Sequence, residues 1–352
     1  MKIAITSGGT GGHIYPGIAI ADQIVRKFPQ AEILFIGSEE GLERELVAKA
    51  GYRISLVKSR ALLRKISYQA FSAPFITAVG FFQALIKLRN FSPRALVSTG
   101  GYASLPIVMA AKLLNIPIYL HEQNVLPGVT NRFCFRFAKI IFLSFDRSTQ
   151  YVRGSVVGNP VRREIIEAER TIARKKLGYS DSDKVVLIIG GSQGARTINQ
   201  AVISLLPQVK IPELKILHIA GKRDRALMEQ LLGSAKYDFY QRVDYLYNIS
   251  DVLAAADLVI SRAGATAIAE FLVRGLPMVL IPFPYSAEGH QELNADVVVE
   301  AGAAIKINDR DLTAEKLMEV LSINKLDLSR MSSKCVNLAH PRAAEEIVNA
   351  IL

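Results

Sequence analysis

The chain of 352 residues contains no tryptophan and only two cysteines, Cys134 and Cys335. Two thiols so far apart argue against a disulfide scaffold, and without a CxxC pair nothing suggests zinc, so both read as reduced structural thiols. Low-complexity tracts are missing, which argues against extended disorder. The start, Met1-Lys2-Ile3-Ala4-Ile5, lacks the basic region and long apolar run of a signal peptide, so a cytoplasmic protein is expected. The first half lacks negative charge. Between Leu46 and His121 there is no Asp or Glu, yet the stretch holds ten basic residues. These are Lys49, Arg53, Lys58, Arg60, Arg64, Lys65, Lys87, Arg89, Arg94 and Lys112. Residues 1–163 carry a net charge of +13 and the remainder −2, within a total of +11. A one-sided field of this kind attracts an anionic partner: nucleic acid, acidic lipid or a phosphorylated substrate. No recognised nucleic-acid-binding motif accompanies it, and the stretch is as apolar as it is basic, so nucleic acid is not expected.

Two nucleotide-binding signatures are also missing. No G-x-G-x-x-G follows the first strand, and the second ends Phe35-Ile36-Gly37-Ser38 without an acid to grip a ribose, which disfavours a nicotinamide cofactor. No G-x-x-x-x-G-K-[ST] loop occurs either.

What is present is a regular alternation of short apolar runs and helical patterns. In the first half the runs are 2–6, 32–36, 54–57, 95–98, 118–121 and 140–143. In the second they are 184–189, 215–219, 239–242, 258–261, 278–281 and 304–307. Continuous rather than alternating apolar character predicts parallel strands buried on both faces. Helices are expected between them, at 197–205, 223–232 and 265–274 among others. The expected fold class is therefore α/β, two Rossmann-like doubly wound parallel-sheet domains facing each other across a cleft. The boundary is placed near Gly158-Asn159-Pro160, before a charged helix from Arg163 to Leu177. That gives domains at 1–161 and 162–340, with a terminal helix at 341–352 crossing back to the first.

Three glycine-rich turns follow strands: Ser7-Gly8-Gly9-Thr10-Gly11-Gly12-His13, Ser98-Thr99-Gly100-Gly101-Tyr102 and Gly190-Gly191-Ser192-Gln193-Gly194-Ala195-Arg196. Glycine lets the backbone turn sharply and approach a ligand, and the helix starts that follow offer N–H groups to an anion. Any one of them can be a plain tight turn; three at strand ends point to a ligand.

With Pro16-Gly17, His121-Glu122-Gln123-Asn124, Gly158-Asn159-Pro160-Val161-Arg162, Arg262 to Glu270, Pro282-Phe283, Gln291 and Asn294, these turns form an ordered set spanning nearly the whole chain. The set resembles the MurG family of bacterial transferases (glycosyltransferase family 28). That family moves N-acetylglucosamine from UDP-GlcNAc onto lipid I to make lipid II. The resemblance implies the GT-B fold, inversion at the anomeric carbon, and no metal or other cofactor required in the site. It implies peripheral attachment at the cytoplasmic face of the bacterial cell membrane. It also implies a part in cell-wall synthesis, cell shape and division, with other cell-wall synthesis proteins as candidate partners. For the donor it implies Thr10, Gly11, Gly12, Asn124, Arg162, Ser192, Leu246, Ala265, Thr266, Ala267, Ile268, Ala269, Glu270 and Gln291. Glu270 would take the ribose hydroxyls, Leu246 the uracil through its backbone, and Gln291 the sugar hydroxyls. The family's glutamine pair is here His290-Gln291, and its Ser-Gly-Ala-Leu-Thr run is here Ala263-Gly264-Ala265-Thr266-Ala267. One sugar contact and one hydroxyl contact are thereby put in doubt.

His13 is the first candidate for the base, since histidine ordinarily titrates near neutrality; a loop-ordering histidine is the plainer reading. Glu122 is second, against the plainer reading of a carboxylate that orders its loop through backbone N–H groups. His121 and His290 are weaker candidates. On the acceptor side stand Gly100, Gly101 and Tyr102. The segment Ala70–Leu88, apolar and interrupted by Pro74, is shorter than the ~20 residues a spanning helix needs. With Phe81 and Phe82 and the flanking Arg64, Lys65, Lys87 and Arg89 it reads as an interfacial helix on an anionic membrane, or else as an ordinary buried helix. Two other classes remain open: a UDP-GlcNAc 2-epimerase, which needs no lipid acceptor, and a non-catalytic nucleotide-sugar-binding scaffold.

Overall fold

The computed structural model describes residues 1–59, 68–191, 194–246 and 248–352, with side-chain surroundings in the helix starting at Tyr68 given from Phe75 onward. Two compact units result, Met1–Arg162 with His340–Leu352, and Arg163–Ala339.

In the first unit the apolar runs become β1 (Lys2–Thr6), β2 (Glu32–Ser38), β3 (Arg53–Val57), β4 (Ala95–Ser98), β5 (Ile118–Glu122), β6 (Ile140–Leu143) and β7 (Ser155–Val156). They form one parallel sheet in the order β3-β2-β1-β4-β5-β6-β7. Ile3, Ala4 and Ile5 of central β1 are fully buried, which is why the run is apolar at every position and not at alternate ones. On one face Ile3 and Ile5 pack with Ile14, Ile18 and Ile24 of helix Gly11–Lys27 and with Ile347, Val348 and Ile351 of helix Ala343–Ile351. On the other, Ala4 and Leu96 meet Ala84 and Leu88 of helix Tyr68–Phe91 and Ile107 and Val108 of helix Ser104–Leu113. Pro74 does not interrupt the first of these: the helix runs through it. At the seventh helical position the missing proline N–H removes one bond of the second turn without ending the helix. Two-residue β7 lies at the sheet edge and has no apolar run to announce it.

The second unit repeats the plan with β8 (Lys184–Ile189), β9 (Leu214–Ile219), β10 (Tyr240–Val243), β11 (Leu258–Ser261), β12 (Met278–Leu280) and β13 (Ala304–Lys306). All are parallel, in the order β10-β9-β8-β11-β12-β13. Val186, Ile188, Ile260 and Val279 pack against Ile198, Val202 and Leu205 of helix Arg196–Leu205 and Leu317 and Leu321 of helix Ala314–Leu321.

The expected helix from Arg163 to Leu177 is two, Arg163–Ile166 and Arg170–Leu177, with Glu169 extended between them. Arg274 supplies the reason. Its Nη1 donates to the carbonyls of Ile165 and Ile166, at 3.2 and 3.0 Å, so the first helix can end there with its last carbonyls satisfied. The second helix then turns Arg170 and Arg174 toward Asp257, at 2.5 and 2.7 Å. Arg174 is 2% exposed and donates also to the Ala255, Ser180 and Asp183 carbonyls, so a fully buried guanidinium stays hydrogen-bonded throughout.

Candidate active site

In each sheet the strand order reverses beside the first strand of the unit, between β1 and β4 and between β8 and β11. In open α/β sheets ligands collect at the carboxyl ends of strands at that reversal. The glycine turns leave β1, β4 and β8 at just those ends.

In the first unit the turns after β1 and β4 lock together. Gly101 has φ +87°, and a Cβ there would overlap the Gly8 carbonyl, so only glycine permits the contact. Thr10 precedes helix Gly11–Lys27 with an extended backbone and no side-chain cap, so the N–H groups of Gly11 and Gly12 head a 17-residue helix at the surface. Tyr102 is half-buried, and burial raises its hydroxyl pKa, while Ser38 bonds to the hydroxyl and opposes the shift. His13, in the first turn, places Nδ1 3.0 Å from the Thr99 carbonyl and 2.9 Å from Oε1 of Gln123.

Glu122 is 1% exposed. Its Oε1 accepts from Asn124 N and Nδ2, at 2.9 and 3.2 Å, and its Oε2 from Gly128 N and Asn131 Nδ2, at 3.0 and 2.8 Å. Four donors on one carboxylate make it the organiser of the loop from Asn124 to Asn131. Neighbouring His121 is fully buried, and desolvation pushes its pKa down to about 4. Arg162 ends the first unit, 9% exposed, with its guanidinium 4.0 Å from the centroid of the Tyr15 ring.

In the second unit the turn after β8 closes on Gly194, at φ +82°, where a Cβ would overlap the Ala220 carbonyl. Ser192 lies outside the described residues, as do Arg64 and Lys65. Leu246 sits half-buried in the loop after β10. After β11, extended Gly264 starts helix Ala265–Val273 without a side-chain cap. Ala265, Thr266 and Ile268 are buried in it, while Ala267, Ala269 and Glu270 are half-exposed. Arg262 is absorbed by the protein: it pairs with Asp309 at 2.5 Å, reaches the Ile281 carbonyl at 3.1 Å and donates to the Thr197 hydroxyl at 2.9 Å. It ties the turn after β11 to its neighbours. Gln291 Oε1 accepts from the backbone N–H of Ala263 and Phe283, at 3.2 and 2.9 Å, which leaves its NH2 as the group available to donate to a ligand. His290 Nδ1 contacts the Ala287 carbonyl at 2.8 Å.

Sequence reasoning gave no individual role to Thr99 and Gln123, although both lie in the segments it singled out, and passed over Glu43 and Asn131. Glu43, 1% exposed, accepts from Gly9 N at 2.9 Å and Ser38 N at 3.2 Å and so holds the first glycine turn against the end of β2. The one signal for it is its place just past the glycine and serine positions that end β2, in Gly37-Ser38-Glu39-Glu40-Gly41-Leu42-Glu43. On the apolar side, Phe82 and Ile86 of helix Tyr68–Phe91 are 61% and 60% exposed, Phe81 is half-buried, Lys87 half-buried and Arg89 exposed.

Two sheets of this kind define the glycosyltransferase family 28 architecture: residues 3–143 match the family's N-terminal domain and 185–347 its C-terminal domain. Along its whole length the chain is 39% identical to a protein of Moorella thermoacetica, 98% of which is covered. That protein is named UDP-N-acetylglucosamine--N-acetylmuramyl-(pentapeptide) pyrophosphoryl-undecaprenol N-acetylglucosamine transferase. The crystal structure of Acinetobacter baumannii MurG superposes with a TM-score of 0.78 at 28% identity, covering 99% of both chains. A UDP-GlcNAc 2-epimerase from Neisseria meningitidis gives a TM-score of 0.67 over 99% of both chains at 14% identity, a likeness of fold alone. The chain belongs to the MurG family of GT-B N-acetylglucosamine transferases, within glycosyltransferase family 28.

Proposed function

We propose that this protein transfers N-acetylglucosamine from UDP-GlcNAc to the muramyl C4 hydroxyl of lipid I, undecaprenyl-pyrophosphoryl-MurNAc-pentapeptide, with inversion, giving lipid II for cell-wall synthesis. The observation that carries this is identity of 39% with the named Moorella transferase along the entire chain.

The second unit holds the donor. Glu270 accepts from the ribose hydroxyls, the loop at Leu246 lies along the uracil, and the Gln291 NH2 donates to the sugar. The helix start at Ala265 to Ala267 and the Arg162 guanidinium offset the charge of the departing diphosphate. No metal or other cofactor enters this scheme, because amides and a guanidinium meet the charge. The turn at Thr10–Gly12 and Asn124 add donor contacts, and the first unit holds the acceptor through the turn at Gly100–Tyr102. The C4 oxygen attacks the anomeric carbon opposite UDP, the bond from that carbon to the diphosphate oxygen breaks, and the C4 proton passes to His13. Glu122, with its oxygens committed to the loop, acts by holding Asn124.

A lipid-linked acceptor assigns the enzyme to the cytoplasmic face of the bacterial membrane, as a peripheral protein. Exposed Phe75, Phe82 and Ile86, with Met109 and Leu113 of the next helix, support an apolar contact face on the first unit. Among the described residues no helix is long and apolar enough to cross a membrane. Supply of that product to the growing wall would tie the protein to cell shape and division, with other cell-wall synthesis proteins as partners. The test is incubation with radiolabelled UDP-GlcNAc and a lipid I analogue. UDP release that depends on the acceptor, with label in the lipid, is expected; turnover without acceptor would replace this reading by an epimerase or a hydrolase.

A further inference from the structure

The proton on His13 is assigned by a chain of buried groups that starts at a backbone carbonyl. His121 Nε2 lies 3.0 Å from the Gly158 carbonyl. A carbonyl only accepts, so that nitrogen carries the hydrogen and His121 Nδ1 keeps a lone pair. Nε2 of Gln123 lies 2.9 Å from this Nδ1 and 2.8 Å from the Thr99 carbonyl, two acceptors, so the Gln123 amide has one admissible orientation. Its Oε1 therefore faces His13, 2.9 Å from Nδ1, where the Thr99 carbonyl is the second acceptor at 3.0 Å. Nδ1 of His13 must then be the donor and Nε2 the bare nitrogen. His121 and Gln123 are 0% and 2% exposed, so water does not compete for these bonds. The depressed pKa of His121 keeps that ring neutral at physiological pH, which preserves the direction of the chain.

We propose that His121 and Gln123 are positioning residues of the transfer reaction, holding the His13 ring with Nδ1–H inward so that Nε2 alone meets the acceptor hydroxyl. The proposal rests on His13 as the base. An amide at position 123 is required by the two-sided demand on it, since it must accept from one histidine and donate to the other. A carboxylate there would accept from His13 equally well but would turn a lone pair on both the Thr99 carbonyl and His121 Nδ1, so Gln123→Glu is not a conservative change.

The test is long-range proton–nitrogen NMR on full-length protein labelled with 15N-histidine, assigned by loss of one ring's signals in His13→Ala. In the unsubstituted protein His13 is expected in the Nδ1–H form and His121 in the Nε2–H form. His13 in the Nε2–H form overturns the proposal, and this measurement needs a substituted protein only for assignment. In Gln123→Leu, kcat is expected to fall roughly 10- to 100-fold, the scale of a misplaced reacting group, while KM for UDP-GlcNAc stays within about twofold. Gln123→Glu is expected to lose a similar factor. Unchanged kcat in Gln123→Leu, or a fall with the His13 signals unmoved, would also overturn it. Near-normal turnover in His13→Ala removes the base reading and leaves the tautomer result standing, so the two failures are told apart.

Discussion

Glutamine in place of Glu122 separates two jobs that one carboxylate can do. The native side chain accepts two hydrogen bonds on each oxygen, from Asn124 on one and from Gly128 N and Asn131 Nδ2 on the other. The amide keeps one acceptor and turns an NH2 toward two donors, so two bonds to a charged acceptor are lost at a site 1% exposed. At about 1.5–3 kcal/mol each, the loss is roughly 3–6 kcal/mol. For a unit of this size each kcal/mol is worth about 2–4 °C, so the first unit's melting point should drop by roughly 6–24 °C. Calorimetry of Glu122→Gln measures the drop, and steady-state kinetics well below the new transition measures what activity the folded fraction keeps. Because the carboxylate orders the Asn124 loop, KM for UDP-GlcNAc should rise and stability should fall together. A melting point unchanged within about 1 °C, with kcat down by about 10³, would show a catalytic carboxylate and refute the loop-ordering account.

Four further outcomes are expected. Ile347→Ala removes three carbons from a fully buried side chain and should cost about 3 kcal/mol, with hydrogen exchange accelerating in β1 and helix Gly11–Lys27; acceleration confined to residues 163–339 would contradict the packing. His121 and His218 have folded pKa values lowered by burial from 6.5 to about 4 and about 3. The unfolded chain therefore binds more protons below 6.5, so stability is full above that pH and falls toward 4 and 3 by about 1.4 kcal/mol per pH unit per group. Equal denaturation midpoints at about pH 7.5 and pH 5 would contradict it. Glu270→Ala should raise KM for UDP-GlcNAc roughly 10- to 100-fold, the worth of one or two bonds to a carboxylate, with a smaller change in kcat; unchanged donor affinity removes Glu270 from the ribose. Phe82→Ser with Ile86→Ser should abolish flotation with phosphatidylglycerol vesicles while leaving turnover of a soluble acceptor analogue intact; undiminished flotation would move the membrane contact elsewhere.

Strands such as β1 and β8 were legible because burial on both faces demands an apolar side chain at every position, and no other element of this length makes that demand. The edge strand β7 makes no such demand and left no trace. The helix break after Ile166 was invisible because its cause, Arg274, lies more than a hundred positions away and is an ordinary helix-end arginine in the sequence. The same distance hid much of the site. The glycine turns announced themselves locally, whereas Glu43 acquires its meaning from Gly9 and Gln123 from His13, partners 34 and 110 positions off. The resemblance included Gln123 in a matching segment but gave it no role; the reason for an amide there exists only in three dimensions.

Helix Ala343–Ile351 completes the apolar face that β1 and helix Gly11–Lys27 begin, although all of residues 163–339 intervene. On the ribosome this sets a timetable. The strands of the first unit emerge earliest, yet Ile3, Ile14 and Ile18 lack their last covering until Ile347, Val348 and Ile351 have been made. The second unit is one uninterrupted stretch and can close before that moment. Translation order and completion order are thus reversed. A released chain truncated near residue 340 carries the whole second unit and leaves that apolar face of the first open to chaperones.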